Sequence, residues 1–255
     1  MSVFNSVHSY RKYAHSVIRL SRFIWTEEIK DFLDTVLVTG RQRKEIIPKG
    51  SIFWRAQLGH DLRPVEIGEN ETTDFPAPFL PQRMKPLVDR AKEGRANPKG
   101  IPYLYCTDSH KTAIAEVRPG LGSLISVGQF STKRNLSIVN FTNDSKLTHP
   151  IYFQEPDPPE REKAVWRAIN NAFSEPINPS DELAEYIPTQ IIAELFKNDG
   201  FEGLSYNSAF GNGHNLLFYD LDCADLINCG LYKLKKIDFE FSQFSNPYFI
   251  KDGNA

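Results

Sequence analysis

The spacing of apolar residues changes character near residue 50. Upstream, Tyr10, Tyr13, Ile18, Leu20, Phe23 and Ile24 form an apolar stripe, and TEEIKDFLDTVL (26–37) continues it from a start like a capping box. This predicts helix over 8–39, ended by Gly40 and the basic run RQRK (41–44). Downstream the runs shorten. SIFWRA (51–56) reads as a strand, and the following stretch to residue 100 reads as irregular, because Pro64, Pro76, Pro78, Pro81, Pro86 and Pro98 interrupt any long helix. Ile101 to Cys106 is apolar without helical spacing, as in a buried strand. Asp108 or Ser109 then caps a short helix that holds Thr112 to Ala115, carries Glu116 in its last turn and closes on Pro119. SLISVGQF (123–130) and LSIVNF (136–141) are further strands, with STKRN between them read as a hairpin connection. A helix follows at 160–173, and another starts at Asp181 to Glu185 with PTQIIAELFKN as its main part, ended by Gly200. FEGLSYNS (201–208), the turn GNG (211–213) and HNLLFYD (214–220) form a strand–turn–strand, and LKKIDFEFSQF (234–244) alternates as a half-exposed strand would. The sum is a mixed α+β protein, with an N-terminal helical appendage at 1–49 and a main domain at 50–255.

Bulk properties narrow the class. A chain of 255 residues buries a sizeable core, and a net charge of −2 argues against wholesale nucleic-acid binding. The three cysteines, Cys106, Cys223 and Cys229, are scattered and odd in number, which fits reduced buried thiols rather than a disulfide framework or a zinc knuckle. No apolar run reaches the roughly 20 residues of a membrane span, and Arg11, Lys12, Arg19 and Arg22 interrupt every apolar run a secretion signal would need. A soluble cytoplasmic protein without a membrane partner is the expectation.

Candidate chemistry is distributed rather than concentrated. Neither GxxxxGK[ST] nor a GxGxxG after a strand occurs, the six histidines show no metal-ligand spacing, and no GxSxG elbow accompanies Ser205 or Ser208. Glu116 sits in the last turn of its helix, where the helix dipole disfavours a carboxylate. It is held there either for function or by an ordinary salt bridge to Arg118 or Lys111. Arg55 abuts the apolar run Ile52, Phe53 and Trp54 and needs an anionic partner, internal or bound. Tyr105, at the end of the central strand, is suited to stacking on a heterocycle or to plain core packing. Ser208, where a strand enters the Gly-rich turn, faces a ligand or bonds its own turn backbone. His214 beside Asn215 reads as structural.

Together these residues resemble the RES domain, a family named for Arg, Glu and Ser. The resemblance covers about 50–220 and is carried by FWRA with Arg55, by GRANPKGIPYLYCTDSHKTAIAEVRP with Tyr105 and Glu116, and by YIPTQIIAELFKNDGFEGLSYNSAFGNGHNLLFYD, where Tyr206, Asn207 and Ser208 fit the family's serine pattern. It implies a bent, mixed sheet similar to that of ADP-ribosyltransferases, an NAD cleft, and toxin activity held in check by a cognate antitoxin. It also implies cleavage of the nicotinamide–ribose bond by hydrolysis or phosphorolysis, with NAD as substrate, phosphate as a potential co-substrate, and no metal or other cofactor.

In that chemistry Glu116 stabilises charge on the ribose, Arg55 holds the pyrophosphate or ribose, Tyr105 meets the nicotinamide end, and Ser208 orients the ribose or carboxamide. Arg83 and Arg95, in the proline-rich stretch, are further candidates for phosphate contacts beside the solvated-surface reading of each. An ADP-ribosyltransferase acting on a specific protein and a non-catalytic nucleotide-binding module are the competing readings. The 1–49 helices serve a partner, an oligomer contact or plain packing.

Overall fold

The N-terminal apolar stripe folds as two helices rather than one in the computed structural model, which describes residues 3–68, 71–142, 152–175, 183–238, 241 and 243. α1 (Ser9–Arg19) and α2 (Glu27–Arg41) are separated by a turn in which the Ser21 hydroxyl donates to Ile24 O and the Trp25 indole to Arg22 O. Phe23 and Ile24, read as part of the stripe, are exposed in that turn. Gly40 does not end α2 but lies inside it. A Cβ there would overlap the Phe196 ring, so the absence of a side chain lets two helices close on each other.

Strand-forming runs build an eight-stranded sheet among the described residues. Its strands are β1 (Lys44–Ile47), β2 (Ile52–Leu58), β5 (Leu104–Thr107), β6 (Leu124–Thr132), β7 (Leu136–Asn140), β8 (Gly203–Asn207), β9 (His214–Phe218) and β10 (Ala224–Lys233). They lie in the order β1-β7-β8-β9-β5-β2-β6-β10, with β7 and β8 parallel and the other neighbours antiparallel. The protein is thus α+β, as the sequence predicts, with the mixed sheet that the family resemblance implies.

The expected hairpin at STKRN is not one, because β6 and β7 are not neighbours. β1 pairs with β7, ending at Ile47 against Leu136, and β2 pairs with β6, beginning at Ile52 against Ser131. Each strand of one pair leads directly into a strand of the other, so the two pairs form a single long ladder turned through a corner. At the corner, Gly50 N donates to Thr132 O, Thr132 N to Ser51 O, the Thr132 hydroxyl to Pro48 O, and Lys49 N to Asn135 Oδ1. Pro48 has no N–H to continue a flat ladder, which suits it to the bend. Between the two halves of the sheet lie Phe53, Leu104, Phe130, Leu136, Ile138, Leu216 and Phe218, all buried.

Helices cover the outer face of β7, β8 and β9. α1, α2, α5 (Pro158–Ser174) and α6 (Ile187–Asn198) bury Tyr13, Phe32, Val36, Trp166, Phe173 and Phe196 against Val139, Leu204 and Leu217. The segment 1–49, expected to be an appendage, contributes two helices to this core and an edge strand to the sheet, so the division at residue 49 falls inside one packed unit. On the opposite side, α4 (His110–Glu116) sets Ala113 against Ala56, Ile125 and Val127.

Two further expectations differ from the structure. The stretch 59–100 contains a two-stranded ribbon, β3 (Asp61–Gly68) with β4 (Glu71–Ala77), as well as the short helix α3 (Pro81–Met84). Pro64 and Pro76 are tolerated because the ribbon is isolated from the main ladder and exposed along nearly its whole length. The last strand among the described residues is β10, and the described part of 234–244, expected as a strand, forms none. Residues 234–238 are irregular, and most of the remainder of that stretch lies outside the described residues. Of the expected helix start at 181–185, residues 181 and 182 lie outside the described residues, and Leu183–Tyr186 form a 3-10 turn leading into α6.

Candidate active site

The site forms where β2 and β5 part. These strands share one registered pair, Trp54 with Thr107. Beyond it the Arg55 guanidinium, and not a β2 backbone N–H, reaches the neighbouring strand, with Nη1 donating to Tyr105 O at 3.0 Å. The gap is a cleft of about 120 Å³ lined by Trp54, Arg55, Tyr105, Glu116, Tyr206 and Asn215, with Ala113 and Val117 of the α4 segment beside them.

Glu116 is placed by local structure on both sides. The Thr107 hydroxyl donates to Ser109 O at 2.7 Å, and Ser109 caps α4 by accepting from Thr112 N at 3.1 Å. Asp108, the alternative cap, turns instead to β9, where its Oδ2 accepts from His214 N and sits 3.0 Å from His214 Nδ1. At the far end of α4, Glu116 Oε1 accepts from the Ser208 hydroxyl at 2.6 Å and from the Asn215 amide at 2.7 Å. Oε2 accepts no hydrogen bond from the described residues. Two donors to one oxygen offset the unfavourable helix end, so the carboxylate is held without a cation. The salt-bridge alternative does not occur among the described residues: the Arg118 guanidinium lies over the Phe210 ring, 4.6 Å from its centroid.

Ser208 bonds its own turn backbone, one of its two sequence readings, and reaches Glu116 without itself lining the cleft. Its backbone N–H donates to Gly213 O, and its hydroxyl oxygen accepts from Phe210 N at 3.1 Å while donating to Glu116. The turn bonding fixes the rotor that the carboxylate uses. Upstream, the Asn170 side chain of α5 accepts from Asn207 N at 3.0 Å and ties down the end of β8.

Arg55 is the electrostatic counterpart. Its Nε is buried with no hydrogen-bond partner, and no carboxylate makes an ion pair with it among the described residues. Burial lowers its pKa, opposed in part by Cys106 and Tyr105. A half-buried guanidinium with one neutral acceptor and a buried, orphaned Nε–H has donor capacity left for an anion.

Tyr105 lines the cleft, but its hydroxyl is engaged elsewhere. It donates to Asn97 Oδ1 at 2.7 Å and accepts from Ala96 N at 3.2 Å, and burial pushes its pKa up. Asn97 in turn donates to Lys92 O and Ile101 O, so Tyr105 braces the 92–101 loop. Arg83 and Arg95 are not among the residues lining this cleft. Arg83 is in α3 with its guanidinium over the Phe79 ring, and Arg95 Nη1 donates to Ala172 O at 3.0 Å.

Asn215 is the addition the sequence reading lacked, and it lines the cleft beside Tyr206, read from the sequence only as part of the family's serine pattern. The two are registered partners on β9 and β8 and therefore share a face. The available signal was a polar residue in a buried strand position: Asn215 precedes Leu216 and Leu217 and is 8% exposed. Among the described residues no group of His, Cys, Asp and Glu is arranged to hold a metal ion, and no helix is long and apolar enough to cross a membrane.

Comparison with known proteins reaches part of the chain. The RES domain model matches residues 75–240, which takes in Tyr105, Glu116, Ser208 and Asn215 and leaves Arg55 outside. No curated protein matches the sequence. A solved structure, the M. tuberculosis MbcT–MbcA toxin–antitoxin complex, is similar at 16% identity with a TM-score of 0.44, over 80% of this chain and 94% of that one.

Proposed function

The chain belongs to the RES domain family, and on that premise we propose that its cleft cleaves the nicotinamide–ribose bond of NAD, by hydrolysis or phosphorolysis, in a toxin-like role. The observation that carries this reading is the carboxylate of Glu116, held at one oxygen by Ser208 and Asn215, across a cleft lined also by an unpaired guanidinium.

The chemistry follows from charge. As the bond from ribose C1′ to the nicotinamide nitrogen breaks, its electron pair leaves with nicotinamide and the ribose acquires oxocarbenium character. Oε2 of Glu116 stabilises that charge, or the hydroxyl that shares it, more strongly in the transition state than in the ground state. Arg55 takes the anionic pyrophosphate or the adjoining ribose, completing its donor set with the fork that lysine lacks. Water or phosphate then attacks C1′ through an oxygen lone pair to form the new C–O bond, and any proton carried by the attacking oxygen is released to solvent. A volume of about 120 Å³ is below the ~300–1,000 Å³ typical of a pocket enclosing a whole ligand, so the reacting end enters while the rest of the dinucleotide lies along the rim. Family resemblance further supports an inhibitory antitoxin as partner.

The test is incubation of purified protein with NAD, with and without phosphate, read by product identity. Free ADP-ribose supports hydrolysis, and its 1″-phosphate supports phosphorolysis. Label transferred to protein would assign an ADP-ribosyltransferase, and intact NAD at high protein concentration would refute the activity.

A further inference from the structure

The strands that build the Glu116 cleft build a second one on their other face. Strand alternation divides neighbouring residues between the two: Trp54, Tyr206 and Asn215 line the first, while Phe53, Ser205 and His214 line the second. Thr107 and Asp108, at the end of β5, are divided in the same way. The second cleft has a volume of about 220 Å³, opens where the two halves of the sheet meet, and has an apolar floor of Ile47, Ile138 and Leu216.

Its charged groups are of one kind. Glu45, on β1, and Asp108 bring carboxylates, and no lysine or arginine is among the described lining residues. Both acids are met by neutral or imidazole groups: Asn140 donates to Glu45 Oε2 at 2.9 Å, and His214 lies against Asp108. Ser205, registered between Asn140 and Leu216, is 5% exposed, and its hydroxyl has no hydrogen-bond partner. Asp108 Oδ1 is likewise buried and unpartnered. Buried polar atoms are ordinarily paired; Asp108 Oδ1 faces the Gly213 turn, so it is the Ser205 hydroxyl that marks a missing partner in this cleft. Acidic acceptors above an apolar floor fit a ligand with a positive, hydrogen-bond-donating head and a short hydrocarbon body.

We propose that this second cleft binds a small organic cation, a primary ammonium on a short aliphatic chain. The carboxylates and the Ser205 hydroxyl take the ammonium, and Ile138 and Leu216 take the hydrocarbon. The site is separate from the Glu116 cleft and does not depend on what that cleft cleaves.

Methyl NMR of the full chain, titrated with n-butylammonium chloride, tests this. n-Butanol and sodium butyrate at matched ionic strength serve as neutral and anionic controls. The expected result is saturable shifts at the Ile47, Ile138 and Leu216 methyls with butylammonium, and no saturable response to either control. Glu45→Gln, an exposed position, and Ser205→Ala should each weaken binding about tenfold, which corresponds to ~1.4 kcal/mol; thermal melting checks that each variant folds. Four results would each overturn the proposal: no saturable shift with butylammonium, an equal response to butanol or butyrate, shifts confined to the Ala113 and Val117 side, or undiminished binding in a folded variant.

Discussion

The Asn215 amide donates to the same oxygen of Glu116 that the Ser208 hydroxyl uses, across 2.7 Å and 99 positions of sequence. Convergence on Oε1 fixes the carboxylate and leaves Oε2 for a ligand. The carboxylate is therefore oriented before any substrate arrives, which is the condition under which an electrostatic contact acts on a transition state without reorganisation cost.

Glu116→Gln keeps an acceptor for Ser208 and Asn215 and removes the charge. NAD turnover should fall by about 10²–10³ or more, with the melting temperature little changed. Turnover at the parent rate would refute the role assigned to this residue.

Replacing Asn215 by Asp places one carboxylate against another. Like charges at that range disfavour ionisation, so a reaction that needs ionised Glu116 should move its acid limb to higher pH by about one unit or more. Asn215→Ala removes the donor without adding charge and should lower kcat without so large a displacement. The pH–rate profiles of the two variants, measured side by side, separate charge from positioning.

Arg55→Met removes a half-buried cation whose buried Nε has no partner. Stability should stay level or rise, because no desolvated charge remains, while NAD affinity is lost. Arg55→Lys should also bind NAD poorly, since an ammonium lacks the planar fork. Calorimetric titration with NAD and thermal melting read the two effects independently.

Burial pushes the thiols of Cys106 and Cys223 up to about 12 from an ordinary 9.0. The unfolded chain releases those protons as pH passes 9.0, and the folded chain keeps them until about 12, so stability falls as pH rises through that window. Tyr103, raised from 10.0 to about 12 by burial, adds to the same slope. Denaturant melts at about pH 8 and about pH 10.5 should show the drop, and Cys106→Ala should make it shallower.

Gly203→Ala should be severe for a residue at a strand start. A Cβ there would overlap the Leu217 carbonyl oxygen, where backbone has no room to yield. A loss of about 1–3 kcal/mol or more is expected, read from the denaturant midpoint.

Much of this arrangement is legible from local chemistry. β5 overlaps the run that reads as a buried strand, and α4 is capped by Ser109, one of the two caps its sequence offers. Glu116, Ser208 and Arg55 stand out through an awkward helix end, a Gly-rich turn and an Arg beside an apolar run. What local pattern does not carry is pairing. STKRN has the polarity of a hairpin turn, and only the positions of β1 and β2 make it a corner between two halves of one ladder. Pro64 and Pro76 hide the β3–β4 ribbon, because their breaking power matters in a central strand and little in an isolated ribbon. β10 opens on ADLINCG, whose mixed polarity shows neither period clearly, while LKKIDFEFSQF shows a clean alternation. The place of Tyr105 at a strand end fits either a ligand or the core with its hydroxyl satisfied. The structure gives its hydroxyl to Asn97 and Ala96, partners that become adjacent only once the loop folds back.

The turned ladder also fixes what counts as a folding unit. The family-matched segment 75–240 contains β6 and β7 but neither β1 nor β2, their ladder partners, and it lacks α1 and α2, which cover Trp166 and Phe196. Cut out at those limits, it would carry an unpaired β7 edge, an uncovered aromatic core and half of a site without its guanidinium. Expression of 75–240 alone should give an aggregating or unfolded product. A fragment beginning ahead of Phe4, which is buried against that same core, retains the pieces needed to fold and to bind.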